Sequence, residues 1–191
     1  MTSRVGSSTM NAVLANETVG VLGSGTDEHE ELASGVGVLL AHLGVNLLTG
    51  GGGGVMRSVS QAFTHSERDR GICIGVIPCL SERERGRPKP GYPNEFVELA
   101  IYTHLPYSGE RGKEDLSRNH INVLSCSAII ALPGGPGTAA EVSLADDYAK
   151  PVMIYSPQAT LVQAFPQSVV RASSLDRVQQ FLRKHIGRTG K

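Results

Sequence analysis

The sequence predicts an α/β protein built on a doubly wound, mostly parallel sheet. Three observations predict it. Short apolar runs alternate with helical patterns along the chain. The runs are continuously apolar, as strands buried on both faces must be. Each glycine-rich turn directly follows a strand, so the turns collect on one edge of the sheet, where such proteins bind ligands. The right-handed crossover rule then gives a Rossmann-like three-layer sandwich.

The elements follow in order. Thr18 to Leu22 is a short apolar strand, and His29 to His42 is a helix with Leu32, Val36, Leu39 and Leu40 on one face. Val45 to Thr49 is the second strand, halted by the five glycines Gly50 to Gly54. Val55 to Phe63 has helical spacing, with Val55, Val59, Ala62 and Phe63 inward. Ile72 to Ile77 is the third strand, stopped by Pro78, and Val97 to Tyr102 the fourth. Glu114 to Ser125 predicts a helix with Ile121 and Leu124 in the core. Ala128 to Leu132 is the fifth strand, Ala139 to Tyr148 a helix, and Val152 to Tyr155 the sixth strand. Ser174 to His185 is an amphipathic helix carrying Val178, Phe181 and Leu182. The expected organisation is a loose tail over residues 1–16 and a single nucleotide-binding domain over 17–191.

Composition excludes several classes. Positive and negative side chains balance at 18 each in 191 residues. That argues against a nucleic-acid binder working by phosphate neutralisation. No apolar stretch reaches the length of a membrane span. The start of the chain lacks the pattern of a secretory signal, so a cytoplasmic location is expected. Cys73, Cys79 and Cys126 match no metal or redox spacing and read as reduced, mostly buried thiols. The histidines, His29, His42, His65, His104, His120 and His185, are scattered, so no metal and no cofactor is expected.

The chemistry sits in the turns. Gly23-Ser24-Gly25 begins like a dinucleotide fingerprint, but Glu28 stands where the third glycine belongs and the second strand ends without an acid. Gly50 to Gly54 lacks the Lys-Ser/Thr pair of a triphosphate loop. Its place between a strand and a helix still fits a backbone that must approach a ligand closely. The third turn is Pro133-Gly134-Gly135-Pro136-Gly137-Thr138, followed by Glu141. It exposes backbone amides and the positive end of a helix dipole, the natural seat of a phosphate. Thr138 and Glu141 also have capping-box spacing, Thr-x-x-Glu. Near a helix N-terminus, Glu141 is expected to stay ionised. The charged, proline-rich segment Ser81 to Glu95 leaves from the same edge. It is a solvated loop or a lid whose arginines or Lys89 reach the ligand. Tyr102, His104 and Tyr107 follow the fourth strand as candidates for a base pocket.

Arg118, together with Pro133-Gly134-Gly135-x-Gly137-Thr138-x-x-Glu141, resembles the LONELY GUY (LOG) family, over most of Val19 to Tyr155. The turn before Val55-Met56, and Gly75-Val76-Ile77-Pro78, are supporting pieces. The resemblance implies a phosphoribohydrolase that cleaves the N-glycosidic bond of a nucleoside 5′-monophosphate, AMP or a cytokinin riboside monophosphate. It implies catalysis by Arg118 and Glu141, and phosphate binding by the turn that carries Gly134, Gly135, Gly137 and Thr138; Gly23, Ser24, Gly51, Gly52, Gly53, Met56 and Asn119 are the further candidate nucleotide-binding residues. It also implies a homodimer or larger homo-oligomer without metal. The family has lysine after the arginine, where this chain has Asn119. Arg118-Asn119 and Ile121-Asn122-Val123 look more like a sister group that includes molybdenum-cofactor carrier proteins, which bind a phosphorylated pterin without turning it over. The carriers usually lack the proline before the glycine pair, which this chain keeps as Pro133. Lysine decarboxylation has no support, because no lysine lies in a pyridoxal-phosphate motif.

Overall fold

A computed structural model describes residues 17–66, 70–162 and 165–187. The expected N-terminal tail, residues 1–16, lies outside the described residues. The strands are β1 (Thr18–Leu22), β2 (Asn46–Thr49), β3 (Cys73–Ile77), β4 (Leu99–Tyr102), β5 (Ala128–Ala131), β6 (Val152–Tyr155) and β7 (Val170–Ala172). The helices are α1 (Glu30–Leu43), α2 (Val55–Thr64), α3 (Asn119–Leu124), α4 (Pro136–Asp147) and α5 (Leu175–His185). The strands form one sheet in the order β4-β3-β2-β1-β5-β6-β7, and every pair is parallel.

Neighbouring strand residues feed opposite faces. Val19, Val21, Leu47 and Ile130 pack with Val36 and Leu40 of α1, Val59 and Phe63 of α2, and Val178 and Leu182 of α5. Leu22, Leu48, Ile129 and Ile154 pack on the other side with Val123 of α3 and with Val142 and Ala145 of α4. Helices on both faces make the expected three-layer sandwich. Among the described residues no helix is long and apolar enough to cross a membrane.

Three elements differ from expectation. The helix expected from Glu114 begins only at Asn119. Before it, Ser117 is tied to the preceding loop, donating to the Tyr107 carbonyl at 3.2 Å and accepting from the Asn119 amide at 3.2 Å. Serine bonds of this kind compete with helix. The shorter helix turns Val123 inward and leaves Leu124, expected in the core, 49% exposed. α4 starts at Pro136 instead of Ala139, with Gly135 at its N-cap. Proline suits a first helical turn, where its missing N–H costs nothing. β7 has no apolar run of its own and exists by pairing with β6.

Candidate active site at the topological switch point

The chain proceeds outward from β1 in both directions across the sheet, so β1 and β5 meet at the switch point. Open α/β sheets bind ligands there, beyond the carboxyl ends of the strands. The turn after β1, the end of β2 and the turn after β5 line a cavity of about 240 Å³. That is a volume for one small ligand.

Most of the expected residues converge on it. Gly23, Ser24, Met56, Arg118, Asn119, Gly135, Gly137, Thr138 and Glu141 all line the cavity. Gly134 is not among the lining residues and packs below, where an added Cβ would lie 2.8 Å from the Ser24 nitrogen. Gly51, Gly52 and Gly53 are also not among them; Gly50 is. Gly51 and Gly52 instead offer their carbonyls to Asn94, to its backbone amide and its Nδ2, each at 2.8 Å. Gly54 needs its glycine, since its φ is 58° and it passes against the Ser24 carbonyl. Ser24 holds its own turn together. Its hydroxyl accepts from the amides of Thr26 at 3.2 Å and Asp27 at 2.9 Å.

The capping-box reading of Glu141 is overturned. With Gly135 at the N-cap, Thr138 already lies inside the first turn, and α4 has no side-chain cap. Glu141 Oε1 instead accepts from Asn122 Nδ2 at 2.8 Å. The helix start is also not what governs the Glu141 carboxyl. Burial pushes its carboxyl up from the ordinary value, while the Arg118 charge and the Asn122 hydrogen bond pull it back only in part. Glu141 lies beyond the first turn of α4, where the dipole has faded and desolvation prevails.

Arg118 sits at the start of α3 and is 5% exposed. Its Nε and Nη1 have no hydrogen-bond acceptor among the described residues. Gly50 lets it lie there, for an added Cβ would collide with the guanidinium. A buried guanidinium with unmet donors is costly unless an anion or hydroxyl supplies the partner. The site therefore offers the amide-rich start of α4, a cation with free donors and a carboxyl whose pKa burial raises.

A family model, that of the SLOG cluster4 family, matches residues 16–182. The chain belongs to the SLOG cluster4 family. Its membership agrees with the LOG resemblance carried by Arg118 and the Pro133 turn. This SLOG cluster4 protein is also similar to the molybdenum cofactor binding protein of the phototrophic bacterium Rippkaea orientalis. That likeness has 30% identity and a TM-score of 0.67 over 88% of this chain and 96% of that one. The molybdenum cofactor carrier protein of Chlamydomonas reinhardtii shares 27% identity, with a TM-score of 0.64, over 88% of this chain and 97% of that one. An uncharacterized protein of Archaeoglobus fulgidus is 29% identical over 73% of this chain and 80% of its own.

Other candidates fall outside the cavity of this SLOG cluster4 protein. Tyr102 is 61% exposed on the edge strand β4, well across the sheet from β1. His104 is exposed and Tyr107 packs under the Arg111 guanidinium; neither lines the cavity. In the charged segment, Arg85 bonds the Glu82 carbonyl and Arg87 pairs with Glu84, so these arginines serve their own loop. Lys89 donates to the Pro106 carbonyl at 2.8 Å and to Ser108, a cavity residue, at 3.3 Å. Burial and then the Arg118 charge lower its pKa. His120 bonds Tyr148 and the Glu114 carbonyl, away from the site. No cluster of metal-ligating side chains occurs among the described residues, and all three cysteines are free and buried.

Sequence reasoning placed the Gly50 to Gly54 run near the ligand, of which Gly50 lines the cavity, and did not single out Tyr92 or Asn122. A signal existed for Asn122, which stands four residues after Arg118 and so shares its helical face. For Tyr92 the signal was its place in the Ser81 to Glu95 segment, expected on the binding edge through its arginines or Lys89 and reaching the cavity through this tyrosine instead.

Proposed function

We propose that this protein is a phosphoribohydrolase that cleaves a nucleoside 5′-monophosphate, AMP or a cytokinin riboside monophosphate, into free base and ribose 5-phosphate. The observation that carries this reading is Glu141: a desolvated carboxyl, oriented by Asn122, in the same cavity as Arg118 and the Gly135–Thr138 turn. A carboxyl in a cavity with a pKa raised by burial suits proton transfer.

The phosphate takes the amides at the start of α4. Each hydrogen bond to a charged group contributes about 1.5–3 kcal/mol. The ribose then lies toward Arg118 and Glu141. The C–N bond breaks, positive charge develops at the anomeric carbon and water adds there, one proton of that water ending on the departing base nitrogen. Glu141 accepts the proton of the attacking water or balances the developing charge. Arg118 holds ribose hydroxyls or the phosphate through its free donors. The family resemblance also supports a homo-oligomeric assembly, which light scattering reads directly.

A second reading has its own observation. Asn119 replaces the lysine of LOG proteins, and the likeness at 30% identity is to a molybdenum cofactor binding protein. On that reading the same cavity carries a phosphorylated pterin unchanged. Chromatography of wild-type protein incubated with AMP and a panel of monophosphates separates the two. Base release supports hydrolysis. Release from none of them, together with a tightly co-purified fluorescent pterin, establishes the carrier.

A further inference from the structure

We propose that Tyr92 is the stacking wall of the cavity, taking the flat face of a fused-ring nitrogen heterocycle and disfavouring single-ring or ring-free ligands. This rests on the phosphate position proposed above, and it holds whether the ring belongs to a purine nucleotide or a pterin.

Tyr92 is the one aromatic residue among the described residues lining the cavity. The hydroxyl end of its ring rests on Gly52, where an added Cβ would come within 2.6 Å of Cζ. The Arg118 guanidinium lies 5.8 Å from the ring centroid. The chain is anchored on either side of the ring. Asn94, buried, clasps the Gly51 and Gly52 carbonyls at 2.8 Å each, and Lys89 donates to the Pro106 carbonyl at 2.8 Å. A ring held this way loses little freedom when a ligand arrives.

The anion-seeking turn and the aromatic wall come from different parts of the chain, one after β5 and one after β3. A ligand with a charged end and a flat end fits both. Stacking reads ring area and tolerates different edge groups, so two fused rings gain more than one.

The test is calorimetric titration of the Glu141→Gln protein, in which cleavage is suppressed, with AMP, CMP and ribose 5-phosphate. Tyr92→Leu in this background should weaken AMP roughly ten- to a hundredfold, from the usual worth of a stacked base. Ribose 5-phosphate affinity should hold within about twofold, and Tyr92→Phe should keep AMP affinity. Gly52→Ala, which displaces the ring without removing it, should reproduce the Tyr92→Leu profile and covers the case in which that variant fails to fold. Equal loss of AMP and ribose 5-phosphate overturns the proposal, because Tyr92 then only supports Arg118. AMP binding no tighter than ribose 5-phosphate before any Tyr92 change also overturns it, while leaving the phosphate position standing. Failure of both ligands to bind removes the phosphate position and the stacking wall together.

Discussion

Asn122 Nδ2 donates to Glu141 Oε1 at 2.8 Å, joining α3 to α4 at the floor of the cavity. Asn122 is 1% exposed, and its Oδ1 has no partner among the described residues. The bond favours the ionised carboxyl against the burial that disfavours it. Asn122→Leu should therefore move the Glu141 pKa further up. Whichever limb of the kcat/KM profile Glu141 governs should shift to higher pH. Carboxyl NMR titration reads the same shift without turnover. An unmoved titration would show that Asn122 does not tune Glu141.

Glu141→Gln should lower turnover by about a hundredfold or more. It should not lower stability. The folded-state pKa of Glu141 lies above its unfolded value, so the folded protein binds more protons across that window. Stability contributed by this group is therefore lost as pH rises from the unfolded to the folded pKa. Glutamine escapes that loss and still accepts from Asn122. Calorimetry at pH 7 should find the variant melting no lower than wild type, with the difference closing toward pH 4. A drop of several degrees at pH 7 would make Glu141 a structural residue.

Gly50→Ala should act through Arg118. The added methyl collides with the guanidinium, so the side chain must leave its place. Nucleotide affinity should fall by more than about tenfold, the cost of one charge-assisted hydrogen bond. Gly86→Ala is the control, because its added methyl meets nothing within 4 Å. It should change neither binding nor stability by more than about 0.5 kcal/mol. Equal affinities for the two variants would remove Arg118 from the site.

The thiols should be inert in the folded protein. Burial pushes the Cys73 thiol up to about 11 and the Cys126 thiol up to about 12. Cys79 is 1% exposed. A disulfide reagent at pH 8 should modify none of the three until denaturant is added, and then all of them. Rapid native labelling would show a thiol that opens to solvent.

Much of the fold was legible because its signals are local. β1 and β6 run over the residues their apolar runs marked, Thr18–Leu22 and Val152–Tyr155. The turns after β1 and β5 share one edge once the sheet is parallel, and the pairing of β1 with β5 then brings Ser24 and Gly135 to one cavity. β7 was not legible, because three residues with an arginine in the middle become a strand only beside β6. Nor was the late start of α3, which depends on Ser117 bonding the Tyr107 carbonyl ten residues back.

The sequence by itself determined a parallel sheet, a glycine-rich binding edge, and Arg118 and Glu141 as the charged pair on it. Continuous apolar runs, glycines and short-range spacing carry that information residue by residue. The tertiary structure alone decided what surrounds the pair. It placed Asn122 against Glu141, buried the Arg118 guanidinium and set Tyr92 beside it. Desolvation depends on everything packed around a group, and no short window of sequence contains that.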